Sequence, residues 1–108
     1  MSNTGNYFKN EEIREVASAS LTTSYVALGV PLQHRAYKVV VWNTTNGDVY
    51  FTRDPDMNTK RQPSGSGRED DYKTNDGVDG KDTQYYVKWA GTPPVSPTGT
   101  FWIEVEYV

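Results

Sequence analysis

Tyr37-Lys38-Val39-Val40-Val41-Trp42 is the stretch on which the fold turns. Three consecutive valines near a tyrosine and a tryptophan favour extended backbone, because β-branched and aromatic side chains fit the pleat of a sheet and lose freedom in a helix. The turn-rich link Asn43 to Gly47 follows, and then a second run of the same kind, Asp48-Val49-Tyr50-Phe51-Thr52-Arg53. Two strands joined by such a link predict a β-hairpin. Tyr37, Val39 and Val41 alternate with Val40 and Trp42, so the first strand is apolar on both sides and is expected to be covered on both.

Upstream of this pair, Leu21-Thr22-Thr23-Ser24-Tyr25-Val26-Ala27-Leu28 reads as another strand, stopped at Gly29 and Pro31 because proline has no amide to give a ladder. A short strand is expected from Ile13, with Ile13, Glu15 and Ala17 on one side and Arg14, Val16 and Ser18 on the other. Residues 1–12 are polar and aperiodic, which predicts a flexible N-terminal arm ahead of one β domain spanning 13–108. Downstream, Thr83 to Trp89 and Thr100 to Tyr107 flank the Gly-Pro-rich link 91–99 and predict a second antiparallel pair, its last strand pinned in the sheet.

Between the pairs, residues 54–82 have no sustained apolar period and read as a long loop, with a short strand expected near Glu69 to Lys73. This segment holds eight acids (Asp54, Asp56, Glu69, Asp70, Asp71, Asp76, Asp79, Asp82) against five bases (Lys60, Arg61, Arg68, Lys73, Lys81), leaving six of each for the rest. The net charge of −3 is thus expected to reside in the loop, with no strong field on the sheets. Seven or eight short strands with no helical period predict an all-β, antiparallel β-sandwich, jelly-roll-like in form.

With 108 residues, 35% of them hydrophobic and 13% aromatic, the chain supports one core built around a few large rings. The acidic balance argues against a nucleic-acid partner. No apolar run approaches the roughly 20 residues of a membrane helix, and Met1 to Asn6 lacks the features of a secretion signal, so no membrane partner and a cytosol-like site of assembly are expected. With no cysteine, disulfides and thiolate metal sites are excluded.

Alternation assigns Phe101, Ile103, Val105 and Tyr107 to the core and Trp102, Glu104 and Glu106 to the outer face. Tyr85, Val87 and Trp89 likewise oppose Gln84, Tyr86 and Lys88, and Val49 and Phe51 oppose Asp48, Tyr50 and Thr52. Trp102, Tyr86 and Tyr50 are left among polar neighbours, and with Trp42 they are the candidates for a protein interface, where tryptophan and tyrosine supply most of the anchoring energy.

Chemistry finds little to stand on. His34 is the single histidine, with no second one to build a metal site or a triad around, so no catalytic role is expected for it. Asp54-Pro55-Asp56-Met57-Asn58 begins like a calcium loop but has Thr59 and Gly65 where glycine and glutamate are needed, and reads as a turn. The run Asp76 to Asp82 is the better candidate for cation binding, because its glycines let the backbone fold several carboxylates toward one point, but a solvated acidic turn is the favoured reading. Gly65-Ser66-Gly67 is followed by no Gly-Lys-Ser/Thr and is not a phosphate loop, and Asn43-Thr44-Thr45 fits the glycosylation pattern without a secretion signal to give it meaning. No pair of carboxylates is singled out for glycoside hydrolysis. The expectation is a non-enzyme with no metal and no cofactor. A carbohydrate-binding platform built from Trp102 and Tyr86 is the alternative from another class.

The phrases Leu21-Thr22-Thr23-Ser24-Tyr25 with Leu28-Gly29 and Pro31, and Thr83-Gln84-Tyr85-Tyr86-Val87-Lys88 with Gly91, Gly99 and Ile103-Glu104-Val105-Glu106-Tyr107, resemble small virion proteins of tailed bacteriophages. The likeness covers most of 21–53 and 83–108. It implies a jelly-roll-like decoration, cement or staple protein on the capsid exterior, bound to the major capsid protein and commonly a dimer or trimer. A neck, tail or fibre position is the other location it implies.

Overall fold

Alternation of apolar and polar residues is realised most fully near the end of the chain. In the computed structural model, which describes residues 10–56, 58–71 and 82–107, Thr100–Tyr107 is a strand that buries Phe101, Ile103 and Val105 completely. In chain order the strands are β1 (Asn10–Ala17), β2 (Val26–Ala27), β3 (Ala36–Asn43), β4 (Val49–Asp54), β5 (Asn58–Gln62), β6 (Ser66–Asp71), β7 (Tyr86–Trp89) and β8 (Thr100–Tyr107), with one short 3-10 turn at Ser18–Ser20. They form two four-stranded antiparallel sheets, ordered β1-β8-β3-β6 and β2-β7-β4-β5. The molecule is an all-β sandwich. Its pairs nest, β1 with β8, β2 with β7, β3 with β6 and β4 with β5, as in one long hairpin folded over on itself.

Between the sheets, Val39, Val41, Phe101, Ile103 and Val105 face Val49, Phe51, Val87 and Trp89, and Leu21, Leu28 and Leu32 close the margins. The Phe51 and Phe101 rings join the layers at 5.8 Å. Each such side chain contributes roughly 1.5–3 kcal/mol by leaving water.

Two expected hairpins are overturned. β3 and β4 lie in different sheets, as do β7 and β8, and among the described residues the only consecutive strands that pair are β4 and β5. The physical reason for the first crossing sits in the link itself. Asn43 is fully buried, its Nδ2 donating to the Gly47 and Gln62 carbonyls at 3.0 Å each while its Oδ1 accepts from the Thr45 amide and hydroxyl. That polar knot steers the chain across to the second sheet, and it engages the amide that the glycosylation pattern would need. The second crossing runs close beneath it. A Cβ on Gly99, at φ +83°, would lie 2.1 Å from the Thr44 carbonyl oxygen, so only glycine fits there.

Other expectations shift. Asn10 to Glu12, assigned to the arm, belong to β1, while residues 1–9 lie outside the described residues. The strand expected over Leu21 to Leu28 shrinks to Val26–Ala27, because Thr22 instead closes a local turn, its Oγ1 accepting the Ser24 amide. The long loop 54–82 contains β5 and β6, the latter overlapping the short strand expected at 69–73; residues 72–81 lie outside the described residues. β3 is not covered on both sides, since Trp42 is 41% exposed. Tyr107 is only half-buried and stacks on His34, the rings 3.7 Å apart and within 2° of parallel.

Candidate protein-binding face

Register places the four interface candidates on two opposite faces. In the first sheet Trp42 of β3 stands directly across from Trp102 of β8, and the rings lie 6.3 Å apart, tilted by 32°. On the other flank of Trp42 the opposed residue is Gly67 of β6. A Cβ there would come within 2.5 Å of the indole, so the Trp42 ring lies over the bare backbone of the edge strand. Sequence reading missed Gly67, although a glycine inside Ser-Gly-Arg-Glu-Asp is a signal for close approach once that run is known to be a strand.

Around the tryptophans the face is acidic. The row containing them continues to Glu15 on β1; the next row reads Ile13, Glu104, Val40, Glu69, and the one after it Glu11, Glu106, Lys38. Ile13 is 54% exposed and Val40 half-buried. Glu11, Glu15 and Glu69 are exposed on this face and Glu104 is half-buried, whereas Glu106, expected on the outer face, is buried; the one lysine in these rows has its Nζ 3.6 Å from a Glu69 oxygen. The Trp102 indole N–H donates to Glu104 at 3.0 Å. This corrects the expectation of sheets without a field: the acids and bases outside the 54–82 segment cancel in number but are segregated in space.

On the outer face of the second sheet, Tyr50 and Lys88 are opposed in register, and Tyr86 is opposed to Thr52. The Lys88 ammonium lies 4.6 Å from the Tyr25 ring and 5.9 Å from Tyr50, and the Arg61 guanidinium lies 5.8 Å from Tyr50. Arg61 also pairs with Asp48 at 2.6 Å. The Ser64 amide and this guanidinium hold the Asp48 carboxyl below its usual range, and Arg61 is raised in turn. Trp102 and Tyr86 therefore cannot form one sugar-stacking platform; they point away from each other across the sandwich.

No family of proteins, curated protein or solved structure matches this chain. The surface has to be interpreted from its own chemistry.

β1, which brings Glu11, Ile13 and Glu15 to the acidic face, is held by a clamp that sequence reading also missed. Glu12 points inward and accepts from the Gln33 and His34 amides, from the His34 ring at 3.0 Å and from Arg14 at 2.7 Å. Burial pushes the Glu12 carboxyl up, but these donors outweigh it and hold it below the ordinary glutamate value. Arg14 also donates to the Val30 and Pro31 carbonyls. Its stem lies against Gly29, where a Cβ would approach within 2.8 Å.

Among the described residues no three acidic or histidine side chains gather as metal ligands, and no helix is long and apolar enough to cross a membrane. Asp54 spends one oxygen accepting the Asp56 amide, as the turn reading requires.

Proposed function

We propose that this protein is a non-enzymatic binding protein that attaches to a folded protein through the outer face of its first sheet. We further propose that this target is the major capsid protein lattice on the exterior of a tailed bacteriophage. The observation that carries the binding reading is the opposed pair Trp42 and Trp102, half-exposed on a sheet face whose margins are charged. Tryptophan anchors ringed by polar groups are the usual source of interface energy. The sheet edges are poorer candidates. β5 (Asn-Thr-Lys-Arg-Gln) and β6 (Ser-Gly-Arg-Glu-Asp-Asp) are edge strands rich in charge, which discourages addition of a further strand.

The capsid assignment rests on the resemblance of 21–53 and 83–108 to small virion proteins. The nested strand order supports it, because eight strands paired in this way are read as a jelly roll, a fold that viral shells use often. Fold alone does not assign function, so the test is attachment. Trp42→Ala and Trp102→Ala should each weaken binding to purified shells by about 2 kcal/mol or more, roughly thirtyfold. Co-sedimentation measures it, with thermal unfolding as the control for folding. Undiminished occupancy by both variants would remove the face from consideration, and failure of the parent protein to sediment would remove the capsid.

A further inference from the structure

The second sheet's outer face shows what the first sheet's lacks. There, the molecule's own cations sit by its half-buried rings, Lys88 between Tyr25 and Tyr50 and Arg61 by Tyr50. On the first sheet, among the described residues, no cation stands over Trp42 or Trp102, although tryptophan is the strongest of the aromatic rings for such a contact. Carboxylates are already in place. Glu15 is opposed to Trp102 in register, and Glu104 accepts the Trp102 indole N–H. Directly opposed residues on a sheet face have Cβ atoms about 4.5–5.5 Å apart, so one incoming cation can touch a ring and a carboxylate together.

We infer that the partner docked on this face is a folded protein presenting arginine or lysine side chains, seated over Trp42 and Trp102 and paired with Glu15 and Glu104. The inference rests on the binding reading above and adds the chemistry of the partner. Charge complementarity selects it. A second copy docked through the same face would set Glu11, Glu15, Glu69 and Glu104 against their equivalents, which repel at neutral pH. Arginine fits best, because its planar guanidinium can stack on an indole while its edge pairs with a carboxylate.

Intrinsic fluorescence tests this on the full chain. Trp89 is buried, so added ligand is reported by Trp42 and Trp102, the other two of the three tryptophans. The probes are an acetylated peptide of alternating arginine and glycine and the same peptide with citrulline in place of arginine. The arginine peptide should give a saturable emission change that weakens roughly tenfold between 0.02 and 0.3 M salt as the Debye length shrinks. The double variant Glu15→Gln, Glu104→Gln should bind it at least about fivefold more weakly. The glutamine at 104 keeps an acceptor for the indole N–H, so the variant tests charge rather than packing. Equal binding of the citrulline peptide, or undiminished binding by the glutamine variant, would overturn the inference. If the glutamine variant occupies shells as well as the parent while Trp42→Ala and Trp102→Ala do not, the face binds but its partner is not cationic. Salt-sensitive self-association in sedimentation velocity, abolished by Glu104→Gln, would overturn the assignment to a foreign protein and make a second copy the occupant.

Discussion

The two outer faces of the sandwich carry similar numbers of aromatic rings and opposite solutions for them. On the second sheet Tyr25 and Tyr50 are capped by Lys88 and Arg61, and Arg61 is itself neutralised by Asp48. On the first, Trp42 and Trp102 lie among glutamates, with Lys38 the single base in the rows around them. Exposure of an aromatic ring is thus a poor guide to an interface when taken alone. What separates the faces is whether the chain's own side chains already satisfy the ring and its charged neighbours.

That contrast can be broken most forcefully at β1, because β1 supplies part of the acidic face and none of the tyrosine face. Glu12→Ala removes the carboxylate that holds the 33–34 amides and leaves the mostly buried Arg14 guanidinium without its acidic partner. The expected cost is about 3 kcal/mol in urea unfolding, with hydrogen-exchange protection lost in β1 before β7. The same clamp sets a pH dependence. The folded carboxyl lies below its unfolded value, so its stabilisation is present above the ordinary glutamate range and is lost as pH falls through the folded value. Glu12→Gln should flatten the acid limb of a stability profile, and an unchanged limb would show that other carboxylates govern it.

A smaller effect is expected at Gly67. A valine there forces the Trp42 indole off the edge strand, with an expected loss of about 1–3 kcal/mol and easier acrylamide quenching of tryptophan emission. If neither changes, the Trp42 ring does not rest on Gly67. The smallest effect belongs to the other face. Lys88→Met deletes the ammonium near Tyr25 and Tyr50 and should change the melting free energy by less than about 1 kcal/mol, leaving attachment to shells intact. Loss of attachment in this variant would mean that the tyrosine face binds too.

Strand by strand, the fold was legible in side-chain parity. Phe101, Ile103 and Val105, Val49 and Phe51, and Val87 and Trp89 all point inward as alternation requires. Parity does not say which strand lies beside which, however, and both expected hairpins failed for that reason. Asn43 to Gly47 has the composition of a tight turn, yet its fate is decided by a buried side chain reaching Gln62, nineteen residues away. The candidate site suffered in the same way. Outward tryptophans could be read from the pattern, whereas the opposition of Trp42 to Trp102, and the gathering of Glu11, Glu15, Glu69 and Glu104 around them, depend on register between strands far apart in sequence. Glu12 was hidden by its type, because a glutamate in a polar stretch gives no sign that it faces inward.

The nesting of the strands also fixes an order of completion. β8 lies between β1 and β3 in the first sheet, so the earliest described strand has no neighbour there until the last one arrives. During synthesis β1 and β3 must wait with open edges, and the Trp42 half of the proposed binding face exists before the Trp102 half. A chain cut before Thr100 would therefore lose more than its final strand: β1 would be severed from β3, and of the first sheet only the β3–β6 pair could form.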